Sequence, residues 1–371
     1  MGLRPDISIF LPALRVGGTE KVFLYLAKAF VEMGYAVDLL LREKDGPYLS
    51  NVPKQVPIFD LGGRKNLKAI IPLVHYLRQR RPRALLSALD HINLTAIWAK
   101  LISKVETRVA VSVRTLVSCA YQFRWKDKQS FFIPLIKITY PLADTIICVC
   151  NAVQQDLFNI IGEKVRKKTV VIYNPVPVDY IRQKSKESLD FSALPFGTIT
   201  HPMIVSVGRL ELAKDYPILI KAFAKLLTMQ TAYLLIIGEG KERKTLQILI
   251  EKLGISQYCH LAGFISNPYP YIAKADLFVL SSKWEGFPNV VAEALALHRP
   301  IIATDCGGVR EILADGKWGR IVPVGDVETL AMAMREELQK PSIFNFDDLE
   351  EYLQIFDLKQ IAKQYVKVLL K

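Results

Sequence analysis

Short apolar runs alternate with stretches of helical periodicity along almost the whole of this 371-residue chain. Strands that are buried on both faces have near-continuous apolar sequences, and parallel strands are joined by crossover connections that are usually helical. The alternation therefore predicts an α/β fold in which parallel sheets carry helices on both faces. Strands are expected at residues 7–11, 37–41, 84–88, 108–113, 145–149, 169–173, 203–207, 233–237, 260–261, 277–280, 301–303 and 321–322. Helices are expected at residues 20–33, 67–79, 94–103, 217–229, 242–253 and 289–296.

The alternation is interrupted once, in the segment 174–201. Two prolines, Pro175 and Pro177, are followed by a charged stretch without periodicity, which is typical of a linker. Because 371 residues exceed what one hydrophobic core usually serves, we expect two domains. The predicted domains are residues 1–175 and 195–371. The amphipathic segment 358–370 either ends the second domain or crosses back to the first.

Composition narrows the class of protein. Apolar residues make up 51% of the chain, yet no run of eighteen uncharged apolar residues could span a membrane. The apolar segment 7–14 lacks a basic leader and a small-residue cleavage site, so we interpret it as a first strand and expect a cytoplasmic protein. Five scattered cysteines have no zinc-ligand spacing, and we interpret them as buried thiols.

Excess positive charge is confined to the first half of the chain. Residues 1–175 contain 26 Lys and Arg against 13 Asp and Glu, whereas the remainder has 23 of each. Such a domain suits a polyanionic partner, either nucleic acid or an anionic membrane face. Basic clusters at residues 78–83 and 124–137, the second rich in aromatic residues, suit a membrane interface, although solvated helix faces have a similar composition. No nucleic-acid partner is expected, because the chain has no nucleic-acid-binding signature.

The segment 281–293 carries the clearest chemical signal. It follows an apolar strand and reads Ser-Ser-Lys-Trp-Glu-Gly-Phe-Pro-Asn-Val-Val-Ala-Glu, a turn leading into a helix with Pro288 at its first position. The N-terminus of a helix binds phosphate through backbone N–H groups and its dipole. Glu293 would lie roughly 7 Å along the helix from that anion site, and Glu285 over its mouth. The two acids therefore flank a site suited to a nucleotide-sugar, which has hydroxyl groups on both sides of a diphosphate.

Loops in the first half offer weaker candidates. In open parallel sheets, ligands bind outside the carboxyl ends of the strands. The first strand is followed by Gly17 and Gly18, which let a ligand approach the backbone or simply form a tight turn, with Thr19 as a helix cap. His91 follows the strand 84–88 and either faces the ligand crevice or is a structural histidine.

Loops in the second half add cations and glycines. Gly208, Arg209 and Lys214 follow the strand 203–207, where the two cations either clamp a leaving diphosphate or are surface charges near a turn. Gly307 and Gly308 open the helix after the strand 301–303, and they either line the donor pocket or turn the chain. Because no Asp-x-Asp segment follows a strand, no metal is expected at the site.

Together these residues resemble the family 4 retaining glycosyltransferases. The resemblance covers nearly the whole chain and rests chiefly on the two glutamates eight residues apart in a Glu-Gly-Phe-Pro setting. Weaker matches lie at residues 17–20, 140–144, 173–176, 208–214 and 303–308. The chain departs from the family at Cys150-Asn151, where members often have Ser-Glu. The resemblance implies two Rossmann-like doubly wound domains facing a central cleft, the GT-B architecture, with an acceptor-binding first domain and a nucleotide-sugar-binding second domain.

The resemblance also implies roles for individual residues. Glu285 would bind hydroxyl groups of the transferred sugar, Glu293 would bind the ribose, and Arg209 with Lys214 would neutralise the diphosphate. The implied catalytic residues are Glu285, Arg209, Lys214 and His91. The implied donor-binding residues are Gly17, Gly18, Gly208, Phe287, Pro288, Asn289, Val290 and Glu293.

The implied reaction transfers a hexose or N-acetylhexosamine, with retention of configuration, from a nucleotide-diphosphate sugar, taken to be a UDP-sugar. The acceptor would be a lipid-linked oligosaccharide or a lipopolysaccharide or capsule precursor. No cofactor is expected, because fixed cations and a helix dipole can stabilise the departing diphosphate. The basic first half predicts peripheral binding to the anionic inner face of the membrane. The alternative is a UDP-sugar 2-epimerase of the same architecture.

Overall fold

The computed structural model describes residues 4–15, 17–63, 66–122, 132–189, 200–342 and 344–371. The chain divides into two compact units. Unit 1 comprises Met1–Pro175 and Ile355–Lys371, and unit 2 comprises Val176–Gln354. The chain therefore returns to unit 1 after completing unit 2, which is one of the two arrangements left open for the segment 358–370.

Unit 1 contains a parallel sheet with the strand order β3-β2-β1-β4-β5-β6-β7. Its strands are β1 (Ile7–Leu11), β2 (Val37–Leu41), β3 (Ile58–Asp60), β4 (Ala84–Ala88), β5 (Arg108–Val113), β6 (Thr145–Cys148) and β7 (Thr169–Val171). Its first helices are α1 (Gly18–Glu32), α2 (Ile70–Arg80), α3 (Asp90–Ser103), α4 (Val117–Gln122), α5 (Phe132–Thr139) and α6 (Asn151–Ile161). Every residue of the central strands β1, β2 and β4 is buried, as expected for a sheet covered on both faces.

Unit 2 contains a second parallel sheet with the strand order β10-β9-β8-β11-β12-β13. Its strands are β8 (Met203–Val207), β9 (Tyr233–Ile237), β10 (Cys259–Gly263), β11 (Leu277–Leu280), β12 (Ile301–Thr304) and β13 (Arg320–Val322). Its helices are α7 (Val178–Lys184), α8 (Tyr216–Leu227), α9 (Arg243–Lys252), α10 (Tyr269–Lys274), α11 (Asn289–Ala296), α12 (Val309–Ile312), α13 (Val327–Gln339) and α14 (Phe346–Leu353).

Each sheet has one point at which the strand order reverses direction. In unit 1 this point lies between β1 and β4, and in unit 2 it lies between β8 and β11. A crevice forms at such a switch point, outside the carboxyl ends of the strands, and ligands of doubly wound folds bind there. The loops that follow these four strands are the ones from which the sequence predicts the site residues.

The last helix, α15 (Leu358–Leu369), completes the core of unit 1. Ile361, Tyr365 and Leu369 are spaced four residues apart and are at most 1% exposed, so they form one apolar stripe. The Tyr365 ring packs edge-on against Phe30 of α1, with the ring centroids 6.5 Å apart. The final segment therefore belongs to the same hydrophobic core as β1 and β2.

The structure contains all twelve predicted strands and adds one. The additional strand, β3, is a short edge strand that is half-buried or exposed along its length, so it lacks the continuous apolar run that identifies the others. Predicted helix starts differ from the observed ones by up to four residues, since α3, predicted from residue 94, begins at Asp90. Two predicted helix-start roles are also wrong. Helix α1 begins at Gly18 with Gly17 as its N-cap, so Thr19 lies inside the helix. Helix α11 begins at Asn289, so Pro288 is its N-cap rather than its first residue.

The first predicted basic cluster is engaged within unit 1. Arg80 forms an ion pair with Asp38 at 3.2 Å, and Arg83 forms one with Asp6 at 3.1 Å. The Arg78 guanidinium donates to the carbonyl of Ile102 at 3.2 Å. Most of the second cluster, residues 124–131, lies outside the described residues. None of the helices in the described ranges is long and apolar enough to cross a bilayer.

We predict that Tyr365→Ala destabilises unit 1. Removing a buried aromatic side chain from a packed core costs about 3–5 kcal/mol, and the loss should loosen α1 and the adjoining strands. Hydrogen exchange measured by mass spectrometry should show faster exchange in α1, β1 and β2, with α8 and β8 of unit 2 unchanged. Lys363→Ala, at an exposed position of the same helix, is the control. Equal exchange in the two variants would contradict a core role for α15.

Candidate active site

Two loops meet at the switch point of unit 2. The loop 208–215 follows β8, and the loop 281–288 follows β11. The Lys283 backbone N–H donates to the carbonyl of Ala213 at 2.8 Å, and the Ser281 hydroxyl donates to the carbonyl of Lys214 at 2.9 Å. These bonds hold the two loops against each other, so that their side chains share one site.

The centre of this site is an ion pair between Lys214 and Glu285. The Lys214 ammonium lies 2.6 Å from Oε1 of Glu285, and the two side chains are only 17% and 15% exposed. The Ser282 hydroxyl donates to the same carboxylate oxygen at 2.7 Å. A half-buried charge pair is stable only when hydrogen bonds complete it. Lys214 and Ser282 therefore fix the orientation of the Glu285 carboxylate.

The support of this pair extends into the next strand. Thr304, the last residue of β12, donates from its hydroxyl to the carbonyl of Ser282 at 2.7 Å. Thr304 and Ser282 are both fully or almost fully buried. Rigid neighbours of this kind keep a functional side chain in a single geometry.

The predicted Gly307-Gly308 turn packs directly on the Glu285 loop. The Gly308 N–H donates to the carbonyl of Gly286 at 2.7 Å. Gly307 has a φ of +55°, and a Cβ there would lie 2.3 Å from the carbonyl oxygen of Glu285. Only glycine tolerates both conditions. This turn thus supports the Glu285 loop from behind.

Helix α11 places Glu293 next to this loop. Glu293 is 8% exposed, and the Tyr269 hydroxyl of α10 donates to its Oε1 at 3.2 Å. Tyr269 is itself 3% exposed, so the carboxylate has a fixed partner. Phe287 and Pro288 are buried at the start of the helix, whereas Asn289 and Val290 are half-buried. The positive end of the helix dipole and a fixed carboxylate therefore lie on one short element.

Gly208 and Arg209 occupy the mouth of the loop after β8. A Cβ on Gly208 would lie 2.9 Å from the Tyr216 hydroxyl and 3.0 Å from Cε of Lys214, so glycine leaves room for both. The Arg209 side chain is 66% exposed and forms an ion pair with Glu211 at 3.0 Å. Arg209 is therefore near the site but is not held by Glu285, unlike Lys214.

In unit 1 the switch point carries Gly17 and Gly18. Gly17 caps α1 with an extended backbone, at a φ of −176°, so it has no need of a left-handed conformation. A Cβ on Gly17 would instead lie 2.3 Å from Oε2 of Glu20. This carboxylate is the end of a flexible side chain and can move away, so neither the backbone conformation nor this contact restricts the position to glycine.

A buried polar network fixes the start of α3 in unit 1. The Asp90 carboxylate accepts hydrogen bonds from the hydroxyls of Tyr140 at 2.7 Å and Tyr121 at 3.0 Å. Asn93 donates to the carbonyl of Ser112 at 2.9 Å. The residue before the helix, Leu89, has a φ of +76°, which is costly for a leucine. The network holds this strained entry in place.

His91 is the second residue of α3 and is therefore held by the same network. Burial, reinforced by the nearby Arg42 charge, lowers the pKa of His91 to about 4. Its imidazole is then neutral at physiological pH. A neutral imidazole can exchange hydrogen bonds with a sugar hydroxyl without adding charge to the site.

The candidate residues thus form two groups. Unit 2 brings together Gly208, Lys214, Glu285, Glu293 and the residues 287–290, with Arg209 at their edge. Unit 1 presents Gly17, Gly18 and His91 at its own switch point. In the described ranges, no cluster of three or more His, Cys, Asp or Glu side chains could hold a metal ion. All five cysteines are free thiols, and four of them are buried.

Three supporting residues were not predicted from the sequence: Tyr269, Ser282 and Thr304. Ser282 and Thr304 lie within the sequence patterns, but the patterns indicate no role for either. Tyr269 is 24 residues from its partner Glu293, and no local pattern connects the two. Thr304 lies on the strand next to the one that precedes Glu285. Its supporting role could be predicted only if the strand order were already known.

Two doubly wound units, each with a crevice at a switch point, define the class of open α/β folds that bind ligands outside the carboxyl ends of their strands. Comparison with known proteins gives the family. Residues 198–353 match the model of "Glycosyl transferases group 1", and residues 16–180 match that of "Glycosyltransferase Family 4". The chain belongs to this glycosyltransferase family and is a transferase.

Individual relatives extend along most of the chain. The N-acetylgalactosamine-N,N'-diacetylbacillosaminyl-diphospho-undecaprenol 4-alpha-N-acetylgalactosaminyltransferase of Campylobacter jejuni is 28% identical, over 98% of this chain and 99% of its own. The lipopolysaccharide core biosynthesis glycosyltransferase LpsE of Rhizobium meliloti is 26% identical, over 86% of this chain and 85% of its own. The structure of Anabaena HepE with UDP and glucose superposes with a TM-score of 0.79 at 18% identity, over 98% of this chain and 99% of its own. The chain therefore shares the GT-B fold.

We predict that the neutral state of His91 makes unit 1 less stable in acid. Because the folded pKa lies below the unfolded value of about 6.5, the unfolded chain binds more protons between these values, and stability falls as pH drops from 6.5 towards 4. The free energy of unfolding of the wild type and His91→Gln should be compared between pH 4.5 and 7.5. The difference in unfolding free energy between the wild type and His91→Gln should change between pH 4.5 and 7.5. Parallel pH profiles would contradict a depressed pKa.

Proposed function

We propose that this glycosyltransferase moves a hexose or N-acetylhexosamine from a UDP-sugar to a lipid-linked or lipopolysaccharide-type oligosaccharide. The sugar retains its anomeric configuration, and no metal takes part. The observation that carries the proposal is the Lys214–Glu285–Ser282 cluster beside the start of α11. This arrangement combines a hydroxyl-binding acid with positive charge for a diphosphate.

The donor half of the proposal rests on unit 2. The diphosphate lies at the N-terminus of α11, where the helix dipole and backbone N–H groups favour an anion. Glu293, whose carboxylate is oriented by Tyr269, accepts hydrogen bonds from the ribose hydroxyls. The HepE structure contains UDP, which supports uridine as the base.

Lys214 reduces the electrostatic repulsion between Glu285 and the diphosphate. A bare Glu285 carboxylate would repel a dianionic diphosphate, whereas the ion pair at 2.6 Å leaves Glu285 neutralised but still able to accept hydrogen bonds from sugar hydroxyls. As the bond between the anomeric carbon and the diphosphate oxygen breaks, its electron pair moves to that oxygen. Lys214, Arg209 and the helix dipole stabilise the added charge.

The same cluster favours retention without an enzyme nucleophile. Glu285 is occupied by Lys214 and Ser282, which lowers its nucleophilicity. The acceptor hydroxyl then attacks the face that the diphosphate leaves. The proton of that hydroxyl passes to the departing diphosphate oxygen, so that both charge and atoms balance.

The proposed acceptor is supported by the names of two relatives and by the positive charge of the segment 1–175. The Campylobacter relative is named for an undecaprenol-diphosphate acceptor and LpsE for the lipopolysaccharide core. The excess of 26 basic over 13 acidic residues in the segment 1–175 suits an acceptor carried by an anionic membrane. We therefore place the enzyme peripherally at the cytoplasmic face of the membrane.

A nucleotide-sugar screen in EDTA tests this function. A ligand that binds only the folded protein raises its melting temperature with concentration, so UDP-hexoses and UDP-N-acetylhexosamines should stabilise the protein more than ADP- or GDP-sugars. The stabilising donor should then transfer sugar to a diphospho-undecaprenol oligosaccharide, with α-linked product from an α-linked donor by NMR. Abolition of turnover by EDTA, an inverted product, or epimerisation of UDP-N-acetylglucosamine without acceptor would contradict the proposal.

We predict that Glu293→Ala weakens UDP binding by about 10- to 160-fold, because an accepted hydrogen bond to a charged group contributes about 1.5–3 kcal/mol. Tyr269→Phe should weaken UDP binding by a smaller factor, because it only frees the carboxylate to reorient. Isothermal titration calorimetry measures both. Tyr271→Phe, on the same helix, is the control. Unchanged affinity in the Glu293 variant would remove it from the donor site.

A further inference from the structure

Exposed apolar side chains lie on two helices of unit 1 that pack against each other. On α3, Trp98, Leu101 and Ile102 are 39%, 40% and 49% exposed, and their i, i+3, i+4 spacing puts them on one side of the helix. On α5, which packs against α3, Leu135 and Ile138 are 43% and 66% exposed. Leu142, in the turn after α5, is 43% exposed. We call these six residues the α3–α5 face.

This clustering is unusual for a water-exposed surface. Single exposed apolar residues are common, but contiguous ones mark a contact with a protein or a membrane. Helix α5 reads Phe-Ile-Pro-Leu-Ile-Lys-Ile-Thr and has only one charged residue. Ile138 is mainly exposed to solvent and Leu135 is exposed over almost half of its surface, so burial in the core accounts for only part of their apolar character.

The rim of the α3–α5 face is mainly basic, although Glu106, two residues after Lys104, is also exposed. Lys137 is exposed on α5, and Lys104 is exposed at the end of α3. The basic turn Glu163–Lys168 adjoins it, since the Lys168 ammonium donates to the carbonyls of Pro141 at 2.9 Å and Ala143 at 3.1 Å. The one acid of that turn, Glu163, is paired with Arg166.

This charge pattern selects among possible occupants. A second copy of the chain would bring two basic rims together, and like charges oppose such a contact. An anionic lipid surface accepts apolar side chains into its interfacial layer and attracts the lysines around them. The combination therefore fits a membrane better than self-association.

The face also leads to the predicted acceptor side of unit 1. The Phe132 ring at the start of α5 stacks on Tyr121, with the centroids 5.3 Å apart. The Tyr121 hydroxyl donates to Asp90, the residue that precedes His91. One end of α5 thus adjoins the network that holds His91, while the apolar face extends along the same helix.

We propose that the α3–α5 face is the surface by which this enzyme docks on an anionic membrane, with Leu135 and Ile138 entering the interfacial layer. This inference rests on the proposed function, because docking at this surface brings a lipid-borne acceptor to unit 1. It deepens that function by naming the contact surface. Binding to lipid does not itself require catalysis.

Vesicle co-sedimentation with the full chain tests the docking surface. Leu135→Ser/Ile138→Ser should lower binding to vesicles containing phosphatidylglycerol by about tenfold or more, because two apolar side chains no longer enter the interface. Ile248→Ser/Leu253→Ser is the matched control, since these residues of unit 2 are 64% and 38% exposed. Lys104→Glu/Lys137→Glu should weaken binding to phosphatidylglycerol vesicles but not to phosphatidylcholine vesicles.

Two further readouts separate the surface from the activity. Transfer to a short-chain, water-soluble acceptor should be unchanged in the Leu135/Ile138 variant, whereas transfer to acceptor in vesicles should fall. Sedimentation velocity should show the same oligomeric state in all variants. Equal vesicle binding by the test and control variants would overturn the proposal, as would an oligomer that only the Leu135/Ile138 variant loses. Failure of transfer to either acceptor by the wild type would instead contradict the proposed function.

Discussion

The site of unit 2 depends on one short ion pair, between Lys214 after β8 and Glu285 after β11. The two residues are 71 positions apart in the chain, and they meet because β8 and β11 are neighbours at the switch point of the sheet. Leaving either partner alone in a half-buried site would cost several kcal/mol. The fold, the closure of the two loops and the electrostatics of the candidate donor site are therefore parts of one arrangement.

Supporting contacts surround this pair in layers. Ser282 bonds the carboxylate, Thr304 holds the Ser282 backbone, and the turn at Gly307 packs against the Glu285 carbonyl. Each layer comes from the end of a strand or from the turn after it. This explains why the family pattern extends over separate segments of the chain: the pattern records the groups that converge at one sheet edge. Unit 1 has a similar supporting network, in which Asp90, Tyr121 and Tyr140 fix the helix that carries His91.

Much of the fold was predictable because its strands are buried on both faces. Strands such as β1, β4 and β8 are continuous apolar runs, and their observed bounds match the predicted ones. The edge strand β3 was missed because it is only partly buried. Helix α11 and the pairing of a Gly-Phe-Pro turn with two acids were visible in the sequence. The contact of Tyr269 with Glu293 was not, since it depends on how α10 packs. Helix α1 begins two residues before its predicted start, because Thr19, a residue suited to a cap, can also occupy the first turn, whereas α11 begins at the predicted Asn289.

The most direct test of the account is a double-mutant cycle on Lys214 and Glu285, with UDP affinity measured by calorimetry for the wild type, Lys214→Met, Glu285→Gln and the double variant. If the pair acts as a unit, Lys214→Met alone leaves a carboxylate that repels the diphosphate, and adding Glu285→Gln recovers part of the affinity. The effects should then depart from additivity by about 1 kcal/mol or more. Losses that simply add, to within about 0.5 kcal/mol, would contradict the central role of this ion pair.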